Sequence, residues 1–346
     1  MNNTVAFYIS GHGFGHASRA LEVARALLPG ARVVVRSAVA PWLLTRAGHP
    51  QIECWAGETD TGVVQLDSLR LDAVETMARA TDFMSTFNRR VLEEVAFLRA
   101  HDAAMVVADL PPLGIAAAHL AGLPAVALGN FTWDWIYAGY AGGHDLAARL
   151  GEIYSHTTFT LRLPMWGGFE TMTDVRDIPF VARHSERDPL EVRRALDLPV
   201  DEKVVLVSFG GYGLQGATKP QLSAYHLLSP RECDEGAMYG RGYRYEDVVR
   251  AVDVVVTKPG YGIISECIAN DTALLYTSRG DFREYPVLVE AMPKYLRCAF
   301  IDHTDLFSGH WAPHLDRLLA QPAPPEQPAT NGASVAAEIL QQELRR

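Results

Sequence analysis

Strand-length apolar runs that do not alternate with polar residues recur along this chain, with helical patterns between them. That combination restricts the fold to parallel sheets covered on both faces by helices. In the first half the strands are expected at Val5–Ile9, Arg32–Arg36, Met105–Ala108 and Ala125–Leu128. Helices are expected at Ser18–Leu28, where Ala20, Ala24, Leu27 and Leu28 share a face, and around Gly114–Ala121. The stretch Pro164–Pro189 has prolines, glycines and charges without periodicity and reads as a linker. The pattern then restarts, with strands at Val204–Ser208, Val252–Thr257 and Ala273–Tyr276 and a helix beginning at Tyr261. Gln321–Pro328 is a proline-rich connector, and Val335, Ile339, Leu340 and Leu344 repeat at helical spacing. With 346 residues, two domains of ordinary size are expected, each burying its own core. The expected division is a domain over 1–163, a linker over 164–189, a second domain over 190–322, and a connector with a helix returning to the first domain over 323–346.

Charge and cysteine usage narrow the function. With 41 acidic against 31 basic residues the net charge is −10, which argues against coating nucleic acid or anionic lipid, though not against a small phosphate pocket. Cys54, Cys233, Cys267 and Cys298 are widely spaced with no C-x-x-C pair, as expected of free thiols in a reducing compartment. No basic region precedes the first apolar run, and prolines and glycines interrupt the weakly charged stretch Leu110–Gly143. A cytoplasmic location without an integral membrane segment is the expectation.

Chemistry concentrates at turns from strand to helix. Residues 11–19 read GHGFGHASR, directly after the first strand. Its glycines allow close backbone approach to a ligand, and the following helix N-terminus favours negative charge. His12 and His16 would stand at the mouth of a parallel sheet, where an imidazole can move a proton near neutral pH. Asp109 ends another strand of the same sheet, whose carboxyl ends all point to one crevice, so it is a candidate partner of His16. Capping or core packing is the alternative for the two histidines, and a simple cap of the following turn for Asp109. Strand two ends in Arg36 and Ser37, without the acidic residue of a dinucleotide site. Residues 257–266, TKPGYGIISE, repeat the strand-to-helix arrangement, and Gly260 and Gly262 can offer backbone N–H groups to a diphosphate, with Lys258 in the same loop.

These motifs resemble the GT-B glycosyltransferases that use sugar nucleotides, an α/β fold of two Rossmann-like parallel-sheet domains facing a cleft. GHGFGHASR is similar to the first loop of the N-acetylglucosaminyl transferase of peptidoglycan synthesis and places His16 on that family's functional histidine. VVADLPPLGIAAAHLAGLPAVAL (106–128) is similar to the segment of plant natural-product glucosyltransferases that supplies the aspartate partner of the catalytic histidine, here Asp109. The likeness to the glycosyltransferase-like N-terminal half of plant L-arabinokinases runs to about Pro322, through GNFTWDWIY (129–137), LRLP (161–164), FGGYG (209–213) and GYGIISE (260–266). The kinase half of those proteins and any P-loop are absent from the sequence, so kinase activity is not expected.

The resemblance implies a hexosyl- or related glycosyltransferase, metal-independent and without a cofactor, inverting with His16 as base and Asp109 orienting it. It implies donor contacts from Gly210 and Gly211, Lys258, Gly260 and Gly262, from Glu266 to the ribose, and from Asp281 and Glu284 to the sugar. His12, Trp133 and Trp135 would flank the acceptor, a small molecule or glycan. Surface charge is the alternative for Asp281 and Glu284, a helix cap for Glu266, and a core role for the aromatic cluster. At the level of function the alternatives are a nucleotide-sugar epimerase or hydrolase, and a non-catalytic sugar-nucleotide sensor.

Overall fold

The computed structural model describes residues 3–47, 49–210, 213–228 and 235–346. Its strands are β1 (Thr4–Ile9), β2 (Arg32–Ser37), β3 (Ile52–Ala56), β4 (Val64–Gln65), β5 (Leu71–Asp72), β6 (Ala103–Asp109), β7 (Ala125–Phe131), β8 (Phe159–Gly167), β9 (Val175–Asp177), β10 (Lys203–Val207), β11 (Tyr225–Leu228), β12 (Val254–Thr257), β13 (Ala273–Tyr276) and β14 (Cys298–Phe300). Among the described residues they form a parallel sheet in the order β3-β2-β1-β6-β7-β8-β9 and a second in the order β11-β10-β12-β13-β14. The two are mixed α/β units of Rossmann type. β1 and β7 are buried along their whole length, which is why their sequences carry no polar alternation.

In the first sheet β1 and β6 are neighbours in parallel register, Ile9 opposite Asp109. The turn after each therefore opens at the same sheet edge. Gly13 begins the helix Phe14–Leu27 at a φ of 77°, a conformation in which a side chain is strained. Leu110, directly after Asp109, has a φ of 66° without being glycine. Gly129 on β7 makes room for it, since a Cβ there would meet the Leu110 side chain at 2.7 Å. Strained backbone of this kind collects at functional sites.

Two features depart from the sequence-based expectation. β8 runs on to Gly167 and β9 adds an edge strand at Val175–Asp177, so the first half of the stretch read as linker belongs to the first sheet. The antiparallel hairpin β4–β5 crosses from the first unit to the second. Its Leu69 is buried in the apolar cluster that contains Val205, Phe209 and Trp311, and Gln65 accepts from Lys258 at 3.4 Å. The helix Gly332–Leu344 packs along Phe14–Leu27. No helix among the described residues is long and apolar enough to cross a membrane.

Candidate active site

His16 sits one turn into the first helix and is buried against Asp109 at the end of β6. Its Nδ1 lies 2.9 Å from Asp109 Oδ1. The same carboxylate accepts from Arg19 twice, Nε to Oδ2 at 2.8 Å and Nη2 to Oδ1 at 2.6 Å. Arg19 Nη2 also lies 3.1 Å from Nδ1, but the shorter contact is to the carboxylate, which only accepts, and it forms a hydrogen bond when the neutral imidazole carries its proton on Nδ1 and leaves the Nε2 lone pair available. Among the described residues Nε2 has no hydrogen-bond partner. Burial raises the Asp109 carboxyl, but Arg19 and then His16 outweigh it and hold it below the usual carboxylate range.

Arg19 extends this pair toward the second unit. Its Nη1 donates to Asn130 Oδ1 at 2.6 Å, and Asn130 Nδ2 donates to Glu284 Oε1 at 2.7 Å and to the Met165 carbonyl at 3.4 Å. The other oxygen of Glu284 accepts from Arg279 at 3.4 Å. Glu284, expected to read the donor sugar, thus has both oxygens engaged and bridges the two units, while Asp281 beside it is exposed. Arg19 and Asn130 fall within the motifs GHGFGHASR and GNFTWDWIY, which carry no sign of this role.

The aromatic cluster is partly core. Trp133 is 1% exposed and stacks between His16, 6.1 Å between centroids, and Tyr137, 5.6 Å. Its Nε1 donates to Asp60 Oδ2 at 2.9 Å, and Ser10 donates to the other oxygen at 3.0 Å. Trp135 is half-buried under Arg283, whose guanidinium lies 4.7 Å from the ring and donates to the Trp135 carbonyl. A small apolar hollow of about 10 Å³, room for a single water, opens beside Trp133 and Tyr137, walled by Phe83, Met84, Leu146 and Leu150, with Asp60 among its lining. His12 stands between the units, 5.7 Å from Trp133 and 6.2 Å from Phe282. Burial, then His16, Arg279 and Lys258, push its imidazole well below the ordinary value.

Asp60 was not foreseen from the sequence. Burial lifts its carboxyl to about 6 against the hydrogen bonds from Ser10 and Trp133. The unfolded value is about 3.9, so between roughly pH 4 and 6 the native state keeps a proton that the unfolded state has lost. This group's contribution to stability therefore falls as pH rises through that window, and its penalty is complete above it. Wild type is expected to gain in melting temperature relative to Asp60→Asn on going from pH 7.5 to pH 5. A difference independent of pH would show that the carboxylate is not penalised.

In the second unit the helix Tyr261–Asn270 begins at Gly260 after β12. Gly262 faces Gly15 of the first helix so closely that a Cβ on Gly262 would lie 3.1 Å from Gly15 Cα. Two helix N-termini therefore converge where the units meet, which favours an anion. Beside them Lys258 is pushed down to about 8 by burial and then by Arg279, and burial lowers Arg279 as well. Burial is the larger cause for both cations, and Glu284 and Tyr140 oppose it at Arg279. Gly210, at a φ of 68°, turns the chain after Phe209, while Gly211 lies outside the described residues. Glu266 is 4% exposed and accepts from Arg183 Nε at 2.7 Å; burial raises its carboxyl to about 6, opposed by Arg183. Arg183, in the second half of the stretch read as linker, carried no signal in the sequence. Among the described residues no group of three or more His, Cys, Asp or Glu could hold a metal ion.

No family model matches the chain. Solved structures match it over nearly its whole length. The glycotransferase of kitacinnamycin has a TM-score of 0.57 at 16% identity, covering 99% of this chain and 95% of that one. The spinosyn rhamnosyltransferase SpnG complexed with thymidine diphosphate has a TM-score of 0.58 at 12% identity, covering 100% and 96%. A UDP-glucosyltransferase from Polygonum tinctorium capable of glucosylating indoxyl has a TM-score of 0.57 at 13% identity, covering 100% and 94%. The chain has the GT-B glycosyltransferase fold, two Rossmann-like units facing a cleft. In sequence it is similar to L-arabinokinase of Arabidopsis thaliana, 31% identical over 353 residues and 97% of this chain. It spans about a third of that relative's length, 34%.

Proposed function

We propose that this protein is a metal-independent glycosyltransferase that moves a hexosyl or related group from a nucleoside diphosphate sugar to an acceptor hydroxyl, inverting the anomeric carbon. The carrying observation is the His16–Asp109 pair, whose Nε2 has no partner among the described residues, set where the first unit meets the converging helix N-termini and the cations Lys258 and Arg279. The diphosphate would lie at the loop 257–262, with Glu266 toward the ribose and Asp281 toward the sugar. His16 Nε2 takes the acceptor's hydroxyl proton as the acceptor oxygen bonds to the anomeric carbon. The bond from that carbon to the phosphate oxygen breaks, and its electron pair leaves on the diphosphate, stabilised by backbone dipoles and the two cations. The well-separated thiols Cys54, Cys267 and Cys298 suit the cytoplasm.

Calorimetric titration with uridine and thymidine diphosphates tests the donor half. Glu266→Ala is expected to weaken binding by about 1–3 kcal/mol, the range for a hydrogen bond to a charged group. Unchanged affinity in a folded variant would remove Glu266 from the site.

A further inference from the structure

We propose that Arg19 and Asn130 are positioning residues that tie the His16–Asp109 pair to the second unit through Glu284, so that the imidazole is set for proton transfer only while the two units are docked. The inference rests on His16 acting as the base. It is carried by an unbroken buried sequence of hydrogen bonds: His16 Nδ1 to Asp109 at 2.9 Å, Arg19 to Asp109 at 2.6 Å, Arg19 to Asn130 at 2.6 Å and Asn130 to Glu284 at 2.7 Å. Each link has a fixed direction. Arg19 can only donate, so Asn130 must turn its oxygen to the guanidinium and its amide nitrogen to the other unit. Glu284 begins the helix Glu284–Ala291 of the second unit and is the acceptor waiting there.

The charges explain why the bridge matters. Arg19, Asp109, Glu284 and Arg279 sum to zero in a site where an unpaired ion would be costly. Arg19 is the member shared by both sides, bound in a fork to Asp109 and steadied through Asn130 by Glu284. If the units separate, Asn130 keeps only its long 3.4 Å bond to the Met165 carbonyl, and the third arm of Arg19 is restrained less firmly. The carboxylate that holds the imidazole proton on Nδ1 is then held less firmly. Asp60 on the first unit faces this imidazole too, while His12 lies against Phe282 and feels Arg279 and Lys258, and Tyr261 of the second unit lies 5.3 Å from the Arg19 guanidinium.

The test inverts one link. Asn130→Asp sets a carboxylate against Glu284, and adding Glu284→Gln supplies an amide that donates in the reverse direction. The tautomer of His16 is read by nitrogen NMR of the labelled imidazole, assigned by its loss in His16→Gln, with no substrate present. Turnover is read as release of UDP from UDP-glucose. Wild type should show the Nδ1–H tautomer; Asn130→Asp should show a mixture, with kcat lower by about tenfold or more and KM nearly unchanged. The double variant should regain the single tautomer and most of kcat. A single tautomer and full kcat in Asn130→Asp, or no recovery in the double variant, would overturn the proposal. Should Asn130→Asp not fold, Asn130→Ser breaks the same link and is expected to give the same mixture. Absence of UDP release by wild type would count against the proposed function alone, because the tautomer measurement needs no substrate.

Discussion

His16→Ala is expected to lower turnover by about 10²–10⁴-fold, the usual contribution of a positioned general base, while leaving nucleoside diphosphate binding nearly unchanged. The reason is spatial. His16 lies on the first unit, and the loop 257–262, Lys258 and Glu266 lie on the second, so removing the imidazole takes nothing from the ribose or diphosphate contacts. Parallel rate and calorimetric measurements on the folded variant check this. Full turnover would remove His16 as base and make His12, 6.2 Å away ring to ring, the next candidate. Loss of nucleotide binding would place His16 in the phosphate site and end the division of labour between the units.

Asp109→Asn is expected to cost stability as well as rate. In the sequence Asp109 is only a partner for a histidine, and its amide variant should then keep the fold. The structure adds Arg19, which is 4% exposed, against an Asp109 that is 0% exposed. Removing one member of such a pair leaves the other charge buried and uncompensated, at a cost of about 3–5 kcal/mol. Denaturant midpoints should fall accordingly in Asp109→Asn. Most of the loss should return in Asp109→Leu combined with Arg19→Met, which removes both charges, though that protein should stay inactive. A midpoint equal to wild type in Asp109→Asn would mean that Arg19 finds its counter-charge elsewhere.

What could be read in advance followed the range of the interaction. Continuous apolar runs disclosed β1, β6, β7, β10, β12 and β13, because a buried parallel strand needs no partner to be recognised. His16 and Asp109 could be paired because both follow strands whose carboxyl ends meet, a rule of topology rather than of contact. Arg19 gave no such signal. A basic residue in a helix ordinarily faces water, and its partners Asp109 and Asn130 stand 90 and 111 positions away. Asp60 was hidden likewise, in a segment without regular structure between β3 and β4, until the fold brought Ser10 and Trp133 to it. The edge strands β9, β11 and β14 are only partly buried, unlike the similarly short β12 and β13, which are buried along their length and so stand out as apolar runs. The helices Ala73–Ser85 and Phe87–Ala100 did leave readable traces, the i,i+4 pairs Glu75–Arg79 and Arg89–Glu93, which drew no inference.

The central claim is that a nucleoside diphosphate sugar bound at the loop 257–266 is opened with help from His16. The most direct measurement incubates the wild-type protein and His16→Ala with a panel of uridine, thymidine and guanosine diphosphate sugars, with and without EDTA, and follows both the nucleotide and the sugar released. The account predicts slow release of nucleoside diphosphate from at least one donor, insensitive to EDTA and suppressed in His16→Ala. An isomerised donor without release, binding without turnover of any donor, or turnover that EDTA abolishes would contradict it.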